Sequence, residues 1–178
     1  MTVRTEPFAF IIVGAGSADC VLANRPCHDT LGAAMRIYLA CTVRGDRAGT
    51  AAGRVICERL QHHGHEVLTT HLLADDVETA ESALTEEAVY RRDLEWLSSC
   101  DVLVAEASGS SYGVGFEVGY VLGRARATSQ RVLLLYNAER RGAISRLIIG
   151  NCDESCTTVE YTSVQDLVTL VDRHFGQG

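Results

Sequence analysis

Lysine is absent from the chain, and all sixteen basic residues are arginine. That excludes a lysine Schiff base and the lysine of a P-loop. Proline is nearly absent too: the only two, Pro7 and Pro26, both precede Met35. No apolar run approaches the roughly 18 residues that a membrane helix needs, so a membrane-spanning protein is not expected. Basic charge is in deficit, sixteen arginines against 23 acidic residues, for a net charge of −7. A surface of that sign opposes non-specific attachment to nucleic acid or anionic lipid, so neither is an expected partner, and any phosphate ligand must be captured by a local site. The seven cysteines are odd in number and scattered, which fits reduced thiols in a cytoplasm. Cys152 and Cys156 have no second pair of ligands near them, so no metal is expected.

What is present falls into two unequal parts with a boundary near Met35. The core, 35–178, is long enough to bury most of its apolar surface without a cofactor or disulfide. Before it, FAFIIVGAGSADCVLANR resembles the opening strand, turn and helix of flavin-binding oxidoreductases of the glucose–methanol–choline family. In a working dinucleotide fold the third glycine packs helix on strand, and an acidic residue about 20 positions later takes the ribose hydroxyls. Here Asp19 replaces that glycine, and no Asp or Glu occurs from Thr30 to Gly45. Residues 1–34 are therefore read as a non-functional N-terminal extension, and no FAD or other cofactor is expected.

From Met35 onward, short valine- and leucine-rich runs alternate with amphipathic stretches. The pattern predicts strands at 36–41, 65–69, 101–106, 131–136 and 157–161, and helices at about 50–63, 80–99, 113–126, 142–149 and 163–174. Such alternation implies right-handed crossovers and an α/β three-layer sandwich, flavodoxin- or Rossmann-like, with a five-stranded, mostly parallel sheet. Ligands of such sheets bind beyond the carboxyl ends of the strands. The informative loops are then CTVRGDRAG, THLLADD and ASGSSYG.

The richest stretch is ASGSSYGVGFEVGYVLGR, residues 107–124, in which a Ser/Gly turn opens a helix. A helix N-terminus offers unpaired N–H groups to an anion, with Ser110 and Ser111 as caps or ligand donors. Glu117, placed in the first turn, is expected to be held ionised by the helix dipole, as suits a nucleophile. On the preceding helix Asp93 shares the inward face with Val89, Trp96 and Leu97. Two readings of Asp93 stand side by side: a buried carboxyl of raised pKa serving as general acid, or a partly exposed partner of Arg92 or another arginine. Two such carboxyls divide the labour of glycosidic cleavage, and a spacing of about 5–5.5 Å marks the retaining route. The loop after the first strand offers Thr42, Arg44 and the amides around Gly45 as a phosphate cradle, and His71 could meet a base or sugar hydroxyl.

IYLACTVRG, VLTTHLLA, RRDLEWLSSCDVLVAE, SSYGVGFEVGYVLGRA and ISRLIIG occur in the order and spacing of the 2'-deoxynucleoside 5'-phosphate N-hydrolases, within the nucleoside 2-deoxyribosyltransferase superfamily. The resemblance covers nearly all of residues 36–175. It implies Glu117 as nucleophile, Asp93 as general acid and base, and Tyr38 as the residue orienting nucleophile and sugar. Cys41, Thr42, Val43, Arg44, Gly45 and His71 would surround the substrate. Ser111 and Gly113 would hold the 5'-phosphate, with Ser145 contributed by the adjacent subunit of a homodimer. Two positions depart from the family pattern: Cys41 stands where glycine is usual and would crowd the base pocket, and Thr42 stands where serine is usual. The implied reaction releases free base and 2-deoxyribose 5-phosphate from a 2'-deoxynucleoside 5'-monophosphate, with no metal or organic cofactor. The alternatives are a nucleoside 2-deoxyribosyltransferase, a CMP-type ribonucleotide N-glycosidase, and a nucleotide-binding module without catalysis.

Overall fold

Alternation along β1 (Arg36–Ala40) decides the layout of the molecule. Ile37 and Leu39 face one apolar layer, Tyr38 and Ala40 the other, and all four are buried. A strand covered on both faces belongs in the middle of a parallel sheet. β2 (Glu66–Val67), β3 (Val102–Glu106), β4 (Arg131–Asn137) and β5 (Cys156–Tyr161) complete that sheet in the order β2-β1-β3-β4-β5, every pairing parallel. The computed structural model describes residues 34–42, 46–74 and 77–176. These lie within one unit, 31–178; the unit 1–30, and with it the flavin-type turn, lies outside the described residues.

Helices cover both faces. α1 (Thr50–His62) and α6 (Val164–Phe175) pack with Ile37, Leu39, Val104 and Leu135 on one side. α3 (Glu86–Ser99) and α4 (Tyr112–Thr128) pack with Tyr38, Leu103 and Leu134 on the other. The three-layer, flavodoxin-like α/β expectation is therefore met, with a sheet that is parallel throughout. The order also identifies the switch point: the chain leaves β1 toward β2 on one side and returns to β3 on the other. Ligands of open parallel sheets bind at such a point, beyond the strand carboxyl ends.

Three predicted elements differ in extent. The second strand ends after Val67 because Thr69 takes over the pairing with its side chain. Its Oγ1 accepts the Leu39 N–H at 3.0 Å and donates to the Leu39 carbonyl at 2.7 Å, and the chain then enters a 3₁₀ turn, Thr70–Leu73. The single helix expected at 80–99 is two, α2 (Val77–Ser82) and α3, because the Thr85 hydroxyl accepts the Ala88 N–H at 3.2 Å and starts a new helix. The helix expected at 142–149 is a 3₁₀ segment, Ala138–Ala143, followed by the short α5 (Arg146–Ile149) under a Ser145 cap. Among the described residues no helix is long and apolar enough to cross a membrane.

Candidate active site

Because even-numbered residues of β1 face α3 and α4, Tyr38 points beneath α4. Val114, Val118 and Val121 anchor that helix on the sheet, and the same face carries Glu117. The Tyr38 hydroxyl donates to Glu117 Oε1 at 2.8 Å. Burial raises the phenol's pKa, and the charges of Glu117 and Asp93 raise it further, so Tyr38 remains a hydrogen-bond donor at any physiological pH.

Glu117 departs from expectation in one respect. α4 begins at Tyr112 under a Ser111 cap, whose Oγ accepts the Val114 N–H at 3.3 Å, so Glu117 sits in the second turn, past the reach of the helix-end dipole. Burial instead pushes its carboxyl up to about 7; the Tyr38 hydrogen bond opposes that rise and the charge of Asp93 adds to it. The carboxyl is thus poised between its two forms at neutral pH. Asp93 is also less buried than one of its two readings supposed. Its side chain is 23% exposed and accepts from Arg92 Nε at 2.9 Å, so the paired, partly exposed reading is the one observed.

The other expected residues divide into three groups. Ser111 and Ser145 line one cavity of about 60 Å³ together with Ser110, Gly115, Val114 and Ile148, room for several waters or a small anion. Both serines there belong to the same chain, whereas the resemblance assigns Ser145 from a neighbouring subunit. At Gly113, in the first turn of α4, an added Cβ would lie 3.5 Å from Ser111 Oγ. Thr42 is buried and its hydroxyl finds no partner, a costly state that a ligand would relieve. The Cys41 side chain lies in the core layer facing α1, against Gly53. Burial pushes its thiol up to about 12. Val43, Arg44 and Gly45 lie outside the described residues.

His71 sits in the 3₁₀ turn after β2, its ring 5.4 Å from that of Trp96 and its Nε2 3.4 Å from Glu81 Oε1. Burial lowers its pKa, and Arg92 lowers it further, so the imidazole is neutral near pH 7.

Several residues at the site escape sequence reasoning. Glu106, at the carboxyl end of β3, is fully buried and bonds the Ser108 hydroxyl, the Ser108 N–H at 3.2 Å and the Tyr161 hydroxyl at 2.8 Å. Burial raises its pKa. A side chain at Gly49 would collide with this carboxyl, and one at Gly109 would collide with the Asp46 carbonyl and lie 2.6 Å from Thr42 Oγ1. Glu106 and the two glycines thus fix the first and third loops against each other. Arg47 Nε and Thr50 Oγ1, at the start of α1, are buried without partners beside that junction. Nothing in DVLVAE distinguishes Glu106 from a solvent-facing strand end, because its partners lie 2 and 55 residues away in sequence.

A crevice at the switch point of a parallel sheet, holding a Tyr-bonded carboxyl beside a second carboxyl and a serine-lined cavity, defines an enzyme class built for chemistry on a small anionic substrate. The chain belongs to the nucleoside 2-deoxyribosyltransferase family, whose sequence model matches residues 37–159. It is 38% identical over 138 residues to a Thermofilum pendens protein named as a 2'-deoxynucleoside 5'-phosphate N-hydrolase, an alignment covering 78% of this chain and 93% of the relative. It is 34% identical over 141 residues to the human 5-hydroxymethyl-dUMP N-hydrolase, covering 78% of each. Its fold matches that of a Clostridium botulinum CMP N-glycosidase with a TM-score of 0.53 at 18% identity, covering 78% of this chain and 98% of that one. The expectation of an N-glycosidase hydrolase agrees with these names.

Proposed function

We propose that the chain hydrolyses the N-glycosidic bond of 2'-deoxynucleoside 5'-monophosphates to free base and 2-deoxyribose 5-phosphate. The observation that carries this reading is the Tyr38–Glu117 hydrogen bond, set at the switch point within the electrostatic reach of Asp93. Glu117 in its ionised form attacks C1' while the bond from C1' to the base nitrogen breaks, and the electron pair leaves with the base. Asp93 supplies the proton to the base, then takes one from the water that releases the sugar from Glu117. Tyr38 holds the Glu117 oxygen in line throughout. The 5'-phosphate is held by Ser111, Ser145 and the Thr42–Gly45 loop, where Thr42 brings an unpartnered hydroxyl.

A homodimer belongs to the same proposal. Gly115, Gly119 and Gly123 leave open space along one side of α4, and Phe116, on the same helix, is 53% exposed. A smooth stripe of this kind admits a second helix at close range. Mixing Glu117→Ala and Ser145→Ala chains tests composite sites: restored activity is the expected result for Ser145 acting across the interface, and none assigns it to its own chain. Residues 1–34 form no part of the proposed site, so a chain starting at Met35 is expected to keep full activity, and a flavin absorbance band in the full chain would overturn that view.

The reading is tested by incubation with a panel of deoxy- and ribonucleoside monophosphates and identification of the released base. Release from deoxynucleotides without an acceptor base is expected. Exchange only when an acceptor base is supplied would make the protein a transferase, preference for CMP would make it a ribonucleotide glycosidase, and binding without release would leave a nucleotide-binding module.

A further inference from the structure

Arg92 has no role in the reaction as described, yet it is tied to that site more closely than any other cation on α3. Its Nε bonds Asp93 at 2.9 Å, its Nη1 bonds Glu81 at 2.8 Å, and its guanidinium lies 5.0 Å from the centre of the Trp96 ring. The side chain is 21% exposed, and the remaining nitrogen, Nη2, is buried with no partner. A guanidinium that uses only part of its fork and leaves one N–H pair buried and idle carries a cost that a structural clasp alone does not explain. His71 Nε2, beside the same Trp96 ring, has only a long 3.4 Å approach to Glu81 Oε1.

Position along the site gives that idle donor a direction. The serine-lined cavity runs along the start of α4 from Ser111 to Gly115, and Glu117 lies six residues beyond Ser111, about 9 Å along the helix axis. A nucleotide with its phosphate in the cavity and C1' at Glu117 then extends its base toward α3, where Asp93, Arg92, Trp96 and His71 gather. The Arg92 side chain is only 21% exposed, and its charge acts on the Tyr38 hydroxyl together with those of Glu117 and Asp93.

Building on the nucleotide reading above, we infer that Arg92 is a base-recognition residue: its free Nη2 donates to an acceptor atom of the nucleobase, a ring nitrogen or carbonyl oxygen. The same contact serves the chemistry. When the bond from C1' breaks, the electron pair passes to the base; the guanidinium stabilises that charge without giving up a proton, which Asp93 supplies.

The test is titration calorimetry in a Glu117→Gln background, which keeps the glycosidic bond intact, using dUMP and 2-deoxyribose 5-phosphate as ligands. Arg92→Met is expected to weaken dUMP at least about tenfold, as loss of a charge-assisted hydrogen bond does, and to leave 2-deoxyribose 5-phosphate unchanged. Arg92→Lys, which keeps the charge without the fork, is expected to fall between. Unchanged dUMP affinity in both variants would overturn the inference, and so would equal weakening of the two ligands, which marks a general structural effect. Base release by the wild-type chain is scored separately. Binding of dUMP through Arg92 without uracil release refutes the activity and leaves the base contact standing. Turnover with no effect of Arg92 on dUMP affinity refutes the contact alone.

Discussion

Burial of Glu117 bears directly on the stability of the fold. Its folded pKa, about 7, lies above the ordinary value of 4.5 chiefly because burial disfavours the charge. The sign follows: between pH 4.5 and 7 the folded state binds more protons than the unfolded one, so this group's contribution to stability declines as pH rises through that window and is lowest above about 7. Glu117→Gln is therefore expected to raise the melting temperature at pH 8 while removing turnover; a lower melting temperature at pH 8 would contradict the burial argument. For the wild type, kcat/KM should show a rising limb centred near pH 7, because the attacking form is the carboxylate. Tyr38→Phe removes the one hydrogen bond that opposes the raised pKa. Its rising limb should move upward by about one to two pH units, on the scale of a hydrogen bond to a charged group. An unshifted limb would show that another group controls the profile.

At the scale of elements, the turns between helices and strands set the site, and they were the least legible part of the sequence. Apolar runs located the three central strands, β1, β3 and β4, since a strand buried on both faces must be continuously apolar, and a helix over 113–126 placed Glu117 on the correct element. What periodicity does not report is a side chain that substitutes for backbone. Thr69 replaces a stretch of ladder and Thr85 divides a helix, each through one hydroxyl. Thr85→Ala should cost about 1 kcal/mol in urea denaturation, and Thr69→Val more, because two buried backbone groups of Leu39 lose their partner. If Thr69→Val proved the milder of the two, the side-chain pairing would carry little weight. The placement of Cys41 has a similar origin. The alternation that sends Tyr38 toward α4 sends Cys41 toward α1, so a residue adjacent to the site in sequence lies in the opposite layer.

For the whole molecule, topology gathers what sequence scatters. Tyr38 and Glu117 are 79 residues apart, and the pairing of β1 with β3 is what brings their elements together. Glu117 and the serine-lined cavity stand out together because Glu117 and Ser111 share one short motif; Glu106 and the Arg92–Glu81 contact do not, since each depends on partners on other elements. Quaternary structure belongs to this scale as well. A bulky Gly119→Trp change on the open side of α4 should shift the protein toward monomer in sedimentation while leaving its circular dichroism intact, and a dimer that persists would move the interface elsewhere.

All of these expectations rest on Glu117 acting at C1' of a deoxynucleotide. The direct measurement is base release from a deoxynucleoside monophosphate by the wild-type chain and by Glu117→Gln, under identical conditions with both confirmed as folded. Steady release of free base by the wild type and none by the variant is the predicted result. Comparable release by both would contradict it.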